Sequence, residues 1–430
     1  MNKLLKFTLW ILASIVLLTM LAAVLIPVLI DPNDYKDEIA AQVHEQTGRM
    51  LRIQGDIDLS FSFPLSVSLD LGQVELSNAE GFGELPFAKM QDASLFVAIW
   101  PLLTKNQLNI GEIKLTGMEL NLMRNEQGKT NWEDITQTKT EAVKSTEPET
   151  TTAAESERSA VPAITVAGID IRDATINWTD KQNQQQITLS RANISISQLI
   201  ENTPFDFKLS TRLLSDKPAI NGDITLSSKP TIALSEQVFN LAETQLTVDL
   251  SGDAVPGGKN QSSLTGNILY DGQKQQLDIP QLMLSSYDVN INGQFHTLTS
   301  DKGLQYNGIF TIDSFSPKQL ASRLGAALPE MKNPSALSSA DMQLEITGDQ
   351  NQLAISSLSA NLDNTSLTGS ASIKNFQTSR YKFDLALNQL DLDYYAAVEA
   401  AQKSEQTTAK NDNEKAASSR QVTAGSSTAK

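Results

Sequence analysis

Leu51-Arg52-Ile53-Gln54-Gly55-Asp56-Ile57-Asp58-Leu59-Ser60-Phe61-Ser62-Phe63-Pro64-Leu65-Ser66-Val67-Ser68-Leu69-Asp70-Leu71 alternates in one frame from end to end. Every odd position except Gly55 is a large apolar residue: Leu51, Ile53, Ile57, Leu59, Phe61, Phe63, Leu65, Val67, Leu69 and Leu71. The even positions, from Arg52 to Asp70, make the other face polar. A period of two is the strand period, so the stretch reads as sheet with one greasy side and one wet side. It exceeds the usual five or six residues of a strand, which predicts several strands or one long strand bent near Gly55 and Pro64. What covers the apolar side, protein or lipid, is then the functional question.

The residues before this stretch address the compartment. No charge occurs from Phe7 to Ile30, a length of roughly 36 Å as helix and enough to cross a bilayer. Lys3 and Lys6 precede it, and Asp31, Asp34, Asp37 and Glu38 follow. The positive-inside rule puts the N-terminus in the cytoplasm and the bulk across the membrane, on an uncleaved single-pass anchor. The sequence has no cysteine, which excludes lipoprotein acylation, disulfides, thiol catalysis and thiolate metal sites. Its net charge of -16 disfavours nucleic acid as a partner.

Asp31-Pro32-Asn33-Asp34 reads as a helix start and Gly48 as its stop, with Tyr35, Ile39 and Val43 as the apolar stripe. The organisation expected is 1–30 as cytoplasmic stub and anchor, 31–135 as juxtamembrane helix and first β-rich segment, and 161–401 as a β-rich repeat segment. Between and after these, 136–160 and 402–430 are too poor in large apolar residues to stay ordered, and read as linker and tail. Two internal matches support repetition. Ile113–Leu122 aligns with Ile169–Trp178 without a gap, and Gly272, Gln276, Leu277, Ile279, Leu282, Ile291 and Gly293 recur at a spacing of 76. Each copy of the longer repeat leads toward an expected helix, one capped by Ser316 with Leu320, Leu324 and Leu328 along one side, the other starting at Asp393.

Chemistry-bearing constellations are missing. The two histidines, His44 and His296, have no companions at ligand or catalytic spacing. Asp56 and Asp58 share a face because of the strand period, and Gly257-Gly258-Lys259-Asn260 lacks the first glycine and the Ser/Thr of a phosphate loop and reads as a hairpin turn. Neither an enzyme, nor a cofactor, nor a metal site is expected.

The assembled features resemble the AsmA family of Gram-negative envelope proteins, in the N-terminal portion of such proteins. The resemblance rests on the anchor running into Asp31-Pro32-Asn33-Asp34-Tyr35-Lys36, on Thr47-Gly48-Arg49, and on the strand run from Leu51 to Leu76. Ser94-Leu95-Phe96-Val97, Trp100-Pro101-Leu102-Leu103, Gly168–Asp173 and Asn388–Tyr394 add to it. Through the AsmA-like group, including TamB, the resemblance extends to bridge-like lipid transfer proteins. It implies an inner-membrane anchor, a periplasmic body and a mainly β fold with a few short helices. The implied body is an elongated, twisted antiparallel sheet forming a U-shaped apolar groove for phospholipid. The apolar residues Leu51 to Leu71 would line that groove, and some twenty strands at about 4.8 Å would extend it to the order of 100 Å.

Two alternatives stay open at this stage. The same apolar residues could be the core of a closed sandwich, and the protein could be a non-enzymatic envelope scaffold that helps outer-membrane protein assembly by offering strand edges to clients.

Overall fold

The computed structural model describes residues 31–62, 66–105, 107–135, 163–301 and 303–398. The apolar stretch Phe7–Ile30, the 136–160 linker and the 402–430 tail lie outside the described residues. Among the described residues no helix is long and apolar enough to cross a membrane.

Among the described residues twenty-one strands form one sheet. The first eight pair end to end as four broken lanes: β1 (Leu51–Ile53) with β2 (Ile57–Ser62), β3 (Ser66–Leu71) with β4 (Val74–Leu76), β5 (Ala88–Met90) with β6 (Asp92–Ala98), and β7 (Gln107–Thr116) with β8 (Glu119–Arg124). The breaks fall where the chain must kink. Gly55 and Gly72 face each other across the first break, so closely that a Cβ on Gly55 would lie 2.5 Å from the Gly72 Cα. A side chain there would force the two backbones apart.

The fifth lane, β9 (Ala163–Asp180), lies parallel to β7 and β8 together, Gln107 opposite Ala163 and Arg124 opposite Asp180. The two segments that match in sequence are therefore direct neighbours, Ile113 beside Ile169 and Leu122 beside Trp178. From β9 on the chain is an antiparallel meander: β10 (Gln185–Ile196), β11 (Phe207–Asp216), β12 (Ala219–Ala233), β13 (Val238–Ser251), β14 (Lys259–Asp271), β15 (Gln276–Ser286), β16 (Val289–Ser300), β17 (Gly303–Phe315), β18 (Ala340–Asp349), β19 (Gln352–Leu362), β20 (Thr365–Lys374) and β21 (Arg380–Leu387). The result is seventeen lanes, roughly 80 Å across at about 4.8 Å each. The repeat at spacing 76 superposes β15 on β19 and β16 on β20, down to the bulge between Ile279 and Leu282 that recurs between Ile355 and Leu358.

Among the described residues the helices are few and short. Asp31 caps a 3₁₀ turn (Pro32–Tyr35) that leads into α1 (Lys36–Thr47), which stops at Gly48 with φ +71°. Start and stop follow the sequence reading, but the covered face does not. Tyr35 and Ile39 are exposed, whereas Lys36, Ala40, Val43 and Thr47 are half-buried. The helix lies against the sheet edge, where Asn33 accepts from the Ile57 N–H and donates to its carbonyl, and Lys36 pairs with Asp56. Asn33 thereby satisfies backbone groups that an edge strand would leave open. Two further helices among the described residues are α2 (Ile99–Lys105) and α3 (Pro317–Arg323). The latter has the expected Ser316 cap but ends at Arg323 ahead of Gly325 (φ +76°), so Leu324 and Leu328 are not on it. Asp393 starts no helix: the Asp391 carboxylate takes the N–H groups of Asp393 and Tyr394 and holds a turn.

One end of the first lanes is closed by a polar core. The Arg49 side chain is 1% exposed, bound by both carboxylate oxygens of Asp134 and donating to the Asn131 carbonyl, with its guanidinium 4.3 Å from the centre of the Phe87 ring. Burial works against the charged form of Asp134, but the hydrogen bonds and charge of Arg49 outweigh it and hold the carboxyl below its ordinary value. Asn131, also buried, continues the β8 edge by bonding the backbone of Met123 and Asn121. Nearby, the Arg124 guanidinium bonds Asp180 and, with help from Asn183, draws that carboxyl down to about 2.

Asp134→Ala leaves a buried guanidinium without its carboxylate and lowers unfolding free energy by about 3 kcal/mol in denaturant titration, while Arg49→Met with Asp134→Leu recovers most of it. Because the folded Asp180 pKa is depressed, its contribution is present above the unfolded value near 4 and disappears as pH falls toward 2. Asp180→Asn therefore flattens the loss of melting temperature between pH 4 and pH 2.

Candidate functional site

The register of the sheet puts one apolar side chain of every lane in a single row. Starting at the edge formed by β1 and β2, successive partners are Ile57, Leu71, Ala93, Leu115, Ile171 and Ile194. The row continues through Leu209, Leu226, Leu246, Leu264, Leu284 and Ile291. It ends with Ile312, Met342, Ala360, Leu367 and Leu387. All seventeen are aliphatic or methionine. One residue away, on the opposite face, runs a polar row: Asp58, Asp70, Ser94, Lys114, Asp170, Ser195, Lys208, Ser227, Gln245, Thr265, Met283, Asn292, Thr311, Gln343, Ser359, Thr368 and Ala386. Only Met283 and Ala386 break its polarity.

Every substantial strand–strand contact is between neighbouring lanes, and burial shows how little of the apolar face is covered. Of the seventeen apolar residues Ile57 is buried, Leu387 is exposed and the others are half-buried. Among the described residues only eight apolar side chains are fully buried, four of them alanines. Inward positions of a closed sandwich would be buried lane after lane. The described sheet is instead open, its side chains touching laterally along the face and free above it.

The residues singled out by alternation sit in the first two lanes. Leu51 pairs with Leu76 and Ile53 with Val74, and Ile57, Leu59 and Phe61 lie opposite Leu71, Leu69 and Val67. Phe63 and Leu65 lie outside the described residues. Those present share the apolar face, but they are a corner of it, and the other fifteen lanes were not singled out. The reason is visible in the bulges. At Asp173, Arg191 and Glu243 the backbone takes φ of 52°, 51° and 51°, and the apolar frame changes parity. It passes from Ile169 and Ile171 to Ala174, Ile176 and Trp178, from Ile187 and Leu189 to Ala192, Ile194 and Ile196, and from Phe239 and Leu241 to Thr244, Leu246 and Val248. The extra residue keeps the greasy side on one face while it breaks the alternation in the sequence. A search for short period-two runs joined by single-residue slips would find them.

The face is not uniform along the lanes. At the end carrying the polar core, Trp132 leans on Trp178 with ring centres 5.6 Å apart, covering the apolar side of β9 there. The histidines are elsewhere. His44 is exposed on α1, and His296 bonds Asp278 on the polar face of β15 and β16.

Comparison with known proteins adds an assignment. The profile of the AsmA family matches residues 1–428. Protein AsmA of Escherichia coli (strain K12) is 23% identical over 280 residues, spanning 64% of this chain and 41% of that protein. No solved structure matches.

The two rows give a paired test. Leu246→Asp places a charge among Leu226, Leu264 and their neighbours and lowers the melting temperature by several degrees, whereas Gln245→Asp, one residue along and exposed, changes stability by under about 0.5 kcal/mol.

Proposed function

Because the chain belongs to the AsmA family, we propose that it is a single-pass inner-membrane protein whose periplasmic sheet holds or conducts phospholipid and so contributes to lipid transport and outer-membrane homeostasis. The observation that carries this reading is the row from Ile57 to Leu387, apolar in every lane and half-buried in all but the first and last. Water against such a face is costly, and an acyl chain laid on it gains about 0.8 kcal/mol for each CH₂ taken out of water. Lipid bound this way needs no reaction, and no residue is assigned a catalytic role. The polar row faces the aqueous side. The stretch Phe7–Ile30 is the anchor in this reading, and Asn33 on Ile57 joins it to the first lane. A continuous face also supplies a path, because an acyl chain sliding from lane to lane meets no polar side chain along the row.

The test is lipid content. The chain from Asp31 onward, exported to the periplasm and purified without detergent, is expected to carry several phospholipids per molecule by quantitative mass spectrometry. Val67→Asp and Leu246→Asp, folded by circular dichroism, are expected to carry fewer. A folded, lipid-free wild-type protein overturns the proposal.

A further inference from the structure

The far edge of the sheet is left open in a way the near edge is not. β21 pairs with β20 on one side and, among the described residues, with nothing on the other. Its apolar side chains Tyr381, Phe383, Leu385 and Leu387 are 72%, 73%, 47% and 48% exposed. An apolar row beside unpaired backbone groups is a template for strand addition. The described residues that follow do not fill it. The Asn388 N–H donates to Ser366, the Tyr395 hydroxyl to the Leu362 carbonyl, and Ala397 bridges to Met331, so residues 388–398 run back across the lane ends. The 136–160 and 402–430 segments are also unsuited, since the first has no leucine, isoleucine, methionine or aromatic residue and the second has Val422 as its one large aliphatic.

We propose that this edge pairs with a second copy of the chain, β21 against β21 in antiparallel register with Phe383 on the two-fold axis. The side-chain pattern selects that register. Registers that keep apolar residues on one face differ by two residues, and only one of the three nearest sets no like charges against each other. With Phe383 opposite itself, Lys382 faces Asp384 of the partner subunit and Asp384 faces Lys382 of the partner subunit, while Tyr381 meets Leu385 of the partner subunit. Slipping one way sets Lys382 against its own copy, and slipping the other way does the same for Asp384. Opposite charges directly across a strand pair stabilise and like charges destabilise, so the self-complementary register is preferred. Tyr381, Phe383 and Leu385 would then carry the apolar face into the partner's sheet across an isologous interface.

The absence of cysteine makes the test direct, because any introduced cysteine is unique. The full chain in detergent is expected to be dimeric by analytical ultracentrifugation. Oxidation of Phe383→Cys should give a crosslinked dimer, while Leu385→Cys, about 14 Å from its own copy in this register, should not. Lys382→Asp is expected to weaken the dimer about tenfold, and Lys382→Asp with Asp384→Lys to restore it. A monomeric full chain, equal crosslinking at both positions, or a charge exchange that fails to restore association each overturns the proposal.

Discussion

Everything in this protein depends on one constraint, that a strand slipped by a single residue turns its side chains to the opposite face. Seventeen lanes agree on a face, and among the described residues no second layer stands above the sheet to enforce it. In most β proteins the register is held by a core that punishes a slip through burial. Here lateral contacts along the row take that part. Leu226, Leu246 and Leu264 stack side by side, each losing water-exposed area to its neighbours although none is fully buried. Bulges at Asp173, Arg191 and Glu243 absorb the extra residues that would otherwise flip a lane.

The polar core at one end is built on different physics. Arg49, Asn131 and Asp134 come from segments far apart in the sequence, and their geometry is fixed by directional, charge-assisted bonds. Unlike the lanes, which need only neighbours, this core ties the segment after α1 to the residues that follow β8. The entry to the sheet is therefore locked on both sides, by Asn33 on Ile57 and by Arg49 on Asp134. The two short blocks Asp31–Lys36 and Thr47–Arg49 thus have structural jobs in the fold.

How much was legible follows from the same contrast. The helix from Asp31 to Gly48 could be read because caps are local, a carboxylate at one end and a glycine at the other. The amphipathic character of β1 to β3 could be read because Leu51 to Leu71 contains few slips. The face of α1 could not, because Lys36, Ala40, Val43 and Thr47 are chosen by the edge strand they meet and not by their own hydrophobicity. Pairing was hidden as well: nothing in Ile113–Leu122 or Ile169–Trp178 announces that the two matching stretches lie side by side and parallel. The role of Arg49 depended on Asp134, 85 residues on, and no local pattern marks that partner.

The superposition of β15 and β16 on β19 and β20 has a consequence for how such proteins change size. Since each lane answers only to its neighbours, the fold is close to one-dimensional, and a block of lanes can be copied without redesigning the rest. A 76-residue block of four lanes adds about 19 Å. Reach in this architecture would thus evolve in discrete increments, by tandem duplication, with the greasy row spliced intact at each join.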